Sequence, residues 1–284
     1  MEIKRVGIVG MGTMGSQIGI VSARGGYQTL MVDLSKEQIE KGWNQIKSFL
    51  DAQIKKARLS QDDREKILSL IKTSTDLEEA FSDVQLVIEA VFENMEVKKD
   101  VFKKLDTICS RETILCSNTS TLSISELGAA TRRPERCIGT HFLIPAALTP
   151  LVEVVRSPET SDQTHHKTID FLTRCGKETV TVGDSPGFVL NRLYLPMVNE
   201  AFFVLENSLA SAEEIDRCCM RGLGFPLGPL AAADAFGLDI LLACMETFQR
   251  ELGEKYRPAP LLVKFVNAGR LGRKSGQGVY DYRK

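Results

Sequence analysis

The chain has 284 residues, 43% of them apolar, and its 36 basic and 37 acidic side chains nearly cancel. This balance argues against nucleic acid and anionic membranes as partners, because both are negatively charged and bind proteins that carry an excess of positive charge. No apolar run approaches the roughly 18 residues of a membrane helix, and no signal peptide is evident, so we expect a cytoplasmic protein.

The cysteine and histidine content argues against disulfides and metal. The seven cysteines are odd in number and include no C-x-x-C pair, and two of the three histidines, His165 and His166, are adjacent. Neither pattern supplies a zinc site, so we predict no metal and expect reduced, mostly buried thiols. The length suggests two domains.

A glycine-rich turn organises the first forty residues. Lys4–Val9 is a short β-branched run that predicts a buried strand, and G-x-G-x-x-G follows it directly at Gly10, Gly12 and Gly15. In this context Gly10 allows the tight turn, Gly12 lets the backbone approach a diphosphate, and Gly15 lets helix and strand pack closely. The helix that begins at Ser16 would present its N-terminus to the diphosphate.

A second strand, Thr29–Val32, follows that helix and ends on an acid. Asp33 lies 21 residues after Gly12, about where a ribose 2′-hydroxyl needs an acceptor. An isolated glycine motif could be an ordinary turn. Strand, helix, second strand and terminal acid together predict a dinucleotide site, and Asp33 favours NAD over NADP because it would repel a 2′-phosphate. Nearby Lys36 leaves some tolerance of NADP open.

Strands and helices then alternate. Further strands are predicted at 86–90, 113–117, 137–141, 151–155 and 178–182, with helices at 34–59, 61–71, 95–110, 123–130 and 163–175. Parallel strands with crossover helices make an α/β, doubly wound, Rossmann-type sheet. We predict that this dinucleotide-binding domain covers residues 1–184.

Residues 185–284 predict a second domain that is all helical. Ser185 can cap and Pro186 can open a helix that runs to Asn207, is apolar almost all round and is kinked at Pro196. Ser211 and Glu214 form a capping box for the next helix. A helical domain this apolar favours burial against a second copy, so we expect a homodimer.

Polar residues at three strand ends are candidates for chemistry. Ser120 closes the segment Ser-Asn-Thr-Ser after one strand, His141 ends the next, and Glu153 lies within the one after. A histidine paired with a carboxylate can take a proton from an alcohol while hydride leaves to nicotinamide. From the residues alone, His141 could equally be structural, Glu153 could face solvent, and the serine segment could be a capped turn.

The chain from Val6 to Tyr282 resembles the 3-hydroxyacyl-CoA dehydrogenases, and the bacterial 3-hydroxybutyryl-CoA type most. The similarity rests on ordered blocks: GMGTMGS at 10–16, EAVFEN at 89–94, SNTSTLSI at 117–124, His141-Phe142, LVEV at 151–154, SPGFVLNR at 185–192, GPL at 228–230, GLD at 237–239 and LGRKSG at 271–276. The resemblance implies an NAD-dependent enzyme that interconverts (3S)-3-hydroxyacyl-CoA and 3-ketoacyl-CoA.

The resemblance also implies roles for individual residues. His141 matches the catalytic histidine and Glu153 its partner, Ser120 matches the residue that hydrogen-bonds the reacting oxygen, and Asn191 matches an asparagine that closes the site. The matched cofactor contacts are Asp33, Glu93 and Lys98. Lys56 matches a lysine near the CoA phosphates, although Phe49 replaces a serine usually found seven residues before it.

The sequence departs from the family pattern after His141. Ile144 replaces an asparagine that meets cofactor and substrate, Pro150 replaces a lysine, and Ala147 differs as well. The acyl chain length, the physiological direction and the pathway therefore stay open. Pro150 is shared with the carnitine and gulonate dehydrogenases, so a hydroxy acid or hydroxy amine without CoA is one alternative.

Two further alternatives remain. The β-hydroxyacid dehydrogenases need a lysine four residues before their asparagine, where this chain has Gly187, which argues against them. The other alternative is a non-catalytic dinucleotide-binding structural protein, which the presence of Ser120, His141, Glu153 and Asn191 disfavours.

Overall fold

The computed structural model describes residues 2–283, and the chain divides between Ser185 and Pro186 into two units. The first unit is built on one eight-stranded sheet, and the second is helical. Within the described residues, no helix is both long and apolar enough to cross a membrane.

The sheet of the first unit has the strand order β3-β2-β1-β4-β5-β6-β7-β8. The strands are β1 Arg5–Val9, β2 Gln28–Val32, β3 Ile71–Ser74, β4 Leu86–Glu89, β5 Ile114–Ser117, β6 Cys137–Phe142, β7 Leu151–Arg156 and β8 Glu178–Gly183. The first six are parallel in the Rossmann order 3-2-1-4-5-6. This confirms the predicted fold class, but β3 is a short, polar edge strand that the sequence pattern did not reveal.

One strand pair does not follow the all-parallel expectation. β6 and β7 are antiparallel, and β8 is parallel to β7. The connection between β6 and β7 spans residues 143–150 and contains no helix, which is too short for a parallel crossover. The chain therefore turns back beside β6, and the register sets His141 directly opposite Glu153.

Side-chain caps begin most helices of the first unit. The helices are α1 Thr13–Arg24, α2 Lys36–Lys55, α3 Gln61–Ser69, α4 Leu77–Phe81, α5 Met95–Ile108, α6 Ile124–Ala129 and α7 Asp162–Arg174. Ser60 accepts a hydrogen bond from the Asp63 amide, and Asn94 accepts one from the Val97 amide. The buried core includes Val6, Ile8, Ile18, Leu86, Ile88, Ile114, Ile138 and Val152.

The second unit packs its helices around a separate apolar core. They are α8 Leu190–Glu206, α9 Ala212–Gly222, α10 Pro229–Phe236, α11 Leu238–Leu252 and α12 Pro260–Asn267. The capping box of Ser211 and Glu214 is confirmed. Val198, Phe202, Leu241 and Phe248 are fully buried in this core. The all-helical prediction for this region is correct.

Helix α8 begins later than the sequence predicted. Gly187 and Phe188 have φ values of +73° and +51°, and helix geometry starts only at Leu190. Two consecutive residues with left-handed backbone cannot continue a right-handed helix, so Pro186–Val189 form a turn instead. Pro196 does lie inside the helix.

Candidate active site

The glycine turn between β1 and α1 leaves room where a ligand would need it. Gly10 has φ +95°, and a Cβ added there would lie 2.7 Å from the Ala90 carbonyl oxygen. A Cβ at Gly15 would lie 1.8 Å from the Gly10 carbonyl oxygen, so both positions require glycine. A Cβ at Gly12 would meet no atom within 4 Å. The space over the N-terminus of α1 is thus open, and a helix N-terminus of this kind suits a diphosphate.

Asp33 lies against this turn, directly after β2. Its Oδ2 accepts a hydrogen bond of 2.6 Å from the Met11 amide, and its Oδ1 accepts one from Leu34. Asp33 is half-buried. The turn and the acid are therefore one structural unit, which fits the diphosphate and ribose of a dinucleotide.

His141 and Glu153 form a buried pair across the antiparallel strands. His141 Nδ1 and Glu153 Oε2 are 2.8 Å apart, and the two residues are only 4% and 2% exposed. In the neutral imidazole whose proton is on Nδ1, Nδ1 donates to the carboxylate, and Nε2 is the nitrogen that can accept a proton. The twelve-residue separation in sequence becomes a direct contact because the strands are antiparallel.

The segment after β5 is tied to its neighbours on both sides. Glu93 Oε1 accepts hydrogen bonds from the Ser120 amide at 2.9 Å and the Thr119 hydroxyl at 2.5 Å. On the other side, Asn118 Oδ1 accepts from the Phe142 amide at 3.0 Å, beside His141. The structure thus links Ser120 to Glu93, and it links the strand of His141 to the same segment.

A buried ion pair lies beneath this segment. Glu89, at the end of β4, and Lys98, in α5, are 0% and 1% exposed, and their Oε1 and Nζ atoms are 2.6 Å apart. Ser117 donates its hydroxyl to Glu89 Oε2 at 2.6 Å. Ser117 and Asn118 belong to the polar segment that was predicted as a candidate for chemistry, whereas Glu89 was not predicted as a site residue. The signal for Glu89 was present, because a charged residue ends the otherwise apolar strand Leu-Val-Ile-Glu.

Two further predicted site residues lie in or next to helices of different units. Lys56 is exposed and lies just beyond the C-terminal end of α2. Asn191 is the second residue of α8, in the helical unit, and is half-buried.

The loop from 143 to 150 is held by three side chains. Lys177 Nζ donates to the Ala146 and Thr149 carbonyl oxygens at 2.6 and 2.7 Å. The Ala147 amide donates to Gln17, and Arg24 donates to the Ala147 carbonyl oxygen. Burial, together with the charge of Arg24, lowers the pKa of Lys177. Ile144 in this loop remains 70% exposed.

Among residues 2–283, no group of three or more acidic, histidine or cysteine side chains could hold a metal ion.

A dinucleotide-type sheet with a histidine–carboxylate pair near the end of a parallel strand is the architecture of a Rossmann-class dehydrogenase. Residues 5–185 match the family model described as 3-hydroxyacyl-CoA dehydrogenase, NAD binding domain, and residues 187–282 match the corresponding C-terminal domain. The chain therefore belongs to the 3-hydroxyacyl-CoA dehydrogenase family. It is an NAD-dependent oxidoreductase.

Similar proteins cover the whole chain. It is 44% identical over 283 residues to the probable 3-hydroxybutyryl-CoA dehydrogenase of Bacillus subtilis strain 168, covering 99% of this chain and 98% of that protein. It is 41% identical to the 3-hydroxybutyryl-CoA dehydrogenase of Bradyrhizobium diazoefficiens, covering 99% and 96%. The crystal structure of (S)-3-hydroxybutyryl-CoA dehydrogenase from Ralstonia eutropha is similar over 100% of both chains, with 45% identity and a TM-score of 0.96.

Proposed function

We propose that this chain interconverts (3S)-3-hydroxyacyl-CoA and 3-ketoacyl-CoA thioesters, with His141 as the acid–base residue. The observation that carries this proposal is the buried 2.8 Å contact between His141 and Glu153. The relatives named for 3-hydroxybutyryl-CoA support the thioester class of substrate.

The proposed chemistry needs one proton transfer by the protein. When bound, NAD supplies the acceptor and donor of hydride at the 3-carbon. His141 Nε2 takes the proton of the 3-hydroxyl group, and Glu153 stabilises the imidazolium through Nδ1. In the reverse direction, His141 returns that proton to the ketone oxygen.

Binding roles follow from the remaining predicted residues. Ser120 hydrogen-bonds the reacting oxygen, and Asn191 contributes to the substrate site from the helical domain. Lys56 binds the CoA phosphates. The cofactor contacts are assigned to the glycine turn, which consists of Gly10, Gly12 and Gly15, and to Asp33, Glu93 and Lys98. The open space at Gly12 and the position of Asp33 beside Met11 support the first two assignments.

A turnover assay with acetoacetyl-CoA and NADH tests the function. His141→Asn and Glu153→Gln should each lower kcat by roughly 10²–10⁴, the usual value of a positioned acid–base group. NADH affinity should stay nearly unchanged. His166→Asn is the matched control, because His166 is exposed on α7, and it should turn over like the parent.

Three outcomes would overturn parts of this proposal. An active parent with equally active His141→Asn and Glu153→Gln variants would reject the proposed pair. A parent that oxidises carnitine or gulonate but no acyl-CoA would favour the alternative without CoA. A parent that binds NADH and turns over none of these substrates would favour a non-catalytic protein.

The domain roles and the assembly belong to the same proposal. Residues 1–184 bind the dinucleotide, and residues 185–284 complete the substrate site and form a homodimer in the cytoplasm. Exposed Leu193, Leu223 and Ile240 of the helical unit support the dimer, because they are 70%, 64% and 50% exposed and apolar. Sedimentation should give twice the chain mass of 31.5 kDa, and a monomer at micromolar concentration would reject the dimer.

A further inference from the structure

A chain of charges connects the interior of the first unit to the segment that carries Ser120. Glu89 and Lys98 are both buried, and a buried charge is costly unless it is paired and hydrogen-bonded. Three oxygens surround Lys98 Nζ: Glu89 Oε1 at 2.6 Å, Glu93 Oε2 at 3.2 Å and the Val91 carbonyl at 3.3 Å. An ammonium group has three N–H donors, so these oxygens match its full capacity.

The two carboxylates bridge different segments. Glu89 accepts from the Val91 amide after β4 and from the Ser117 hydroxyl at the end of β5. Glu93 reaches from the loop after β4 to the Thr119 hydroxyl and the Ser120 amide. Lys98 lies between the two carboxylates and holds both. The position of Ser120 therefore depends on a carboxylate that is itself held by the buried pair.

Another buried ion pair on the same helix makes no such connection. Asp106 of α5 is 8% exposed and hydrogen-bonds Arg132 and Arg133. Burial alone would raise the pKa of Asp106, but the hydrogen bonds from the two arginines lower it. These partners lie in the segment after α6 and not in the loops that follow β4 and β5. The Glu89–Lys98 pair differs because it continues to Ser120.

We propose that Glu89 and Lys98 are positioning residues for Ser120, acting through Glu93. The buried pair fixes the Glu93 carboxylate, and Glu93 fixes the Ser120 backbone, so the Ser120 hydroxyl is held where the reacting oxygen binds. Lys98 thereby acts on Ser120 through Glu93, in addition to its proposed contact with the cofactor. This inference rests on the proposed role of Ser120 in the dehydrogenase reaction.

A double-mutant cycle between Glu89 and Ser120 tests the proposal. Glu89→Gln keeps the side-chain shape but removes the charge that holds Lys98, and it should lower kcat about tenfold at saturating NADH. Ser120→Ala should lower kcat by roughly 10²–10³, as loss of one stabilising donor does. In the Ser120→Ala background, Glu89→Gln should change kcat less than about twofold, because the hydroxyl it positions is gone.

Asp106→Asn is the matched control. It breaks a buried ion pair of the same domain and helix, so it should lower Tm but keep kcat within about twofold of the parent. If Glu89→Gln does not fold, Glu93→Gln replaces it in the double-mutant cycle with Ser120→Ala. The Glu93 side chain is 41% exposed, so an amide at this position should not prevent folding. Its loss of kcat should also vanish in the Ser120→Ala background.

The possible failures are distinct. A parent without turnover on any 3-ketoacyl-CoA rejects the proposed function, and this inference with it. An active parent in which the losses of Glu89→Gln and Ser120→Ala multiply rejects only the positioning role. The same holds if Glu89→Gln retains the kcat of the parent, or if Asp106→Asn lowers kcat as much.

Discussion

At the scale of single residues, the glycine turn shows how one missing side chain can serve either the fold or the ligand. Gly10 and Gly15 are required by the protein itself, since a Cβ at either would overlap a backbone oxygen. Gly12 is different, because the space beside it holds no protein atom within 4 Å. Its lack of a side chain therefore benefits only a bound molecule.

This difference predicts that Gly12→Ala impairs cofactor binding without impairing folding. The φ of Gly12 is −68°, which alanine adopts without strain, so Tm should stay equal or rise slightly. The Kd for NADH, measured by fluorescence titration, should rise at least about tenfold because the methyl group occupies the diphosphate space. Gly183→Ala, also free of contacts, is the control and should leave both quantities unchanged. Unchanged NADH affinity in Gly12→Ala would place the diphosphate elsewhere.

At the scale of elements, the loop from 143 to 150 reverses the chain directly after the strand that carries His141. Lys177 holds two of its carbonyl oxygens, while Gln17 and Arg24 hold Ala147. The loop is anchored by side chains of α1 and by Lys177, the residue before β8, so the exposed side chain of Ile144 is presented on a fixed backbone. Ile144 is three residues from His141, so it is a candidate wall for the acyl group.

The apolar character of Ile144 predicts a shifted acyl preference. Where the family pattern has an amide, a branched apolar side chain should favour an acyl group longer or bulkier than acetoacetyl. The effect should be about 1–3 kcal/mol per methylene-sized difference in kcat/KM, because apolar walls discriminate weakly. The measurement is kcat/KM across 3-ketoacyl-CoA thioesters of increasing length.

Two variants make this test specific. Ile144→Asn should move the preference back toward acetoacetyl-CoA, and Ile144→Leu should keep the parent's preference. If the parent already favours acetoacetyl-CoA and Ile144→Asn merely loses activity, Ile144 is a neutral replacement and the substrate is the four-carbon thioester.

At the scale of the whole molecule, most of the thiols lie in the interior. Cys109, Cys116, Cys137 and Cys175 are buried in the first unit, and Cys218 in the helical unit is exposed. Burial raises the pKa of Cys109, Cys137 and Cys175 to about 12, and it also raises that of Cys116. These thiols should therefore stay protonated and unreactive in the folded protein at neutral pH.

The raised pKa values predict a loss of stability in alkaline solution. Thiols in the unfolded chain ionise near pH ~8.5, whereas the buried thiols do not ionise until about pH 12. Stability from each thiol is thus fully present below pH ~8.5 and is lost as the pH rises toward 12, by up to about 1.4 kcal/mol per pH unit. Urea unfolding with reductant between pH 8 and about 10.5 measures this slope.

Single cysteine variants isolate the effect. Cys137→Ala should reduce the slope of the free energy of unfolding against pH by about the contribution of one thiol. This holds even if the smaller side chain lowers stability at every pH. Cys218→Ala should leave the slope unchanged. Equal slopes for the parent and Cys137→Ala would contradict burial of an un-ionised thiol at this position.

Much of this protein was predictable from sequence because its signals are local. The turn at Gly10–Gly15 and the acid at Asp33 lie within one β-α-β unit, where spacing along the chain sets spacing in space. Helical periodicity and caps such as Ser211 likewise identified the second, helical unit. The fold class and the cofactor therefore followed from patterns that span a few turns or one strand, whereas the family followed from the resemblance of ordered blocks from Val6 to Tyr282.

Only the tertiary structure decided how distant segments meet. The antiparallel return of β7 brings Glu153 to His141, and the packing of α5 buries Lys98 between Glu89 and Glu93. Local sequence periodicity reports which face of an element is buried but not which neighbour lies against it. Hydrogen bonds and ion pairs between strand ends depend on that neighbour, so the pairing of Lys98 with Glu89 and Glu93 became visible only in the folded chain.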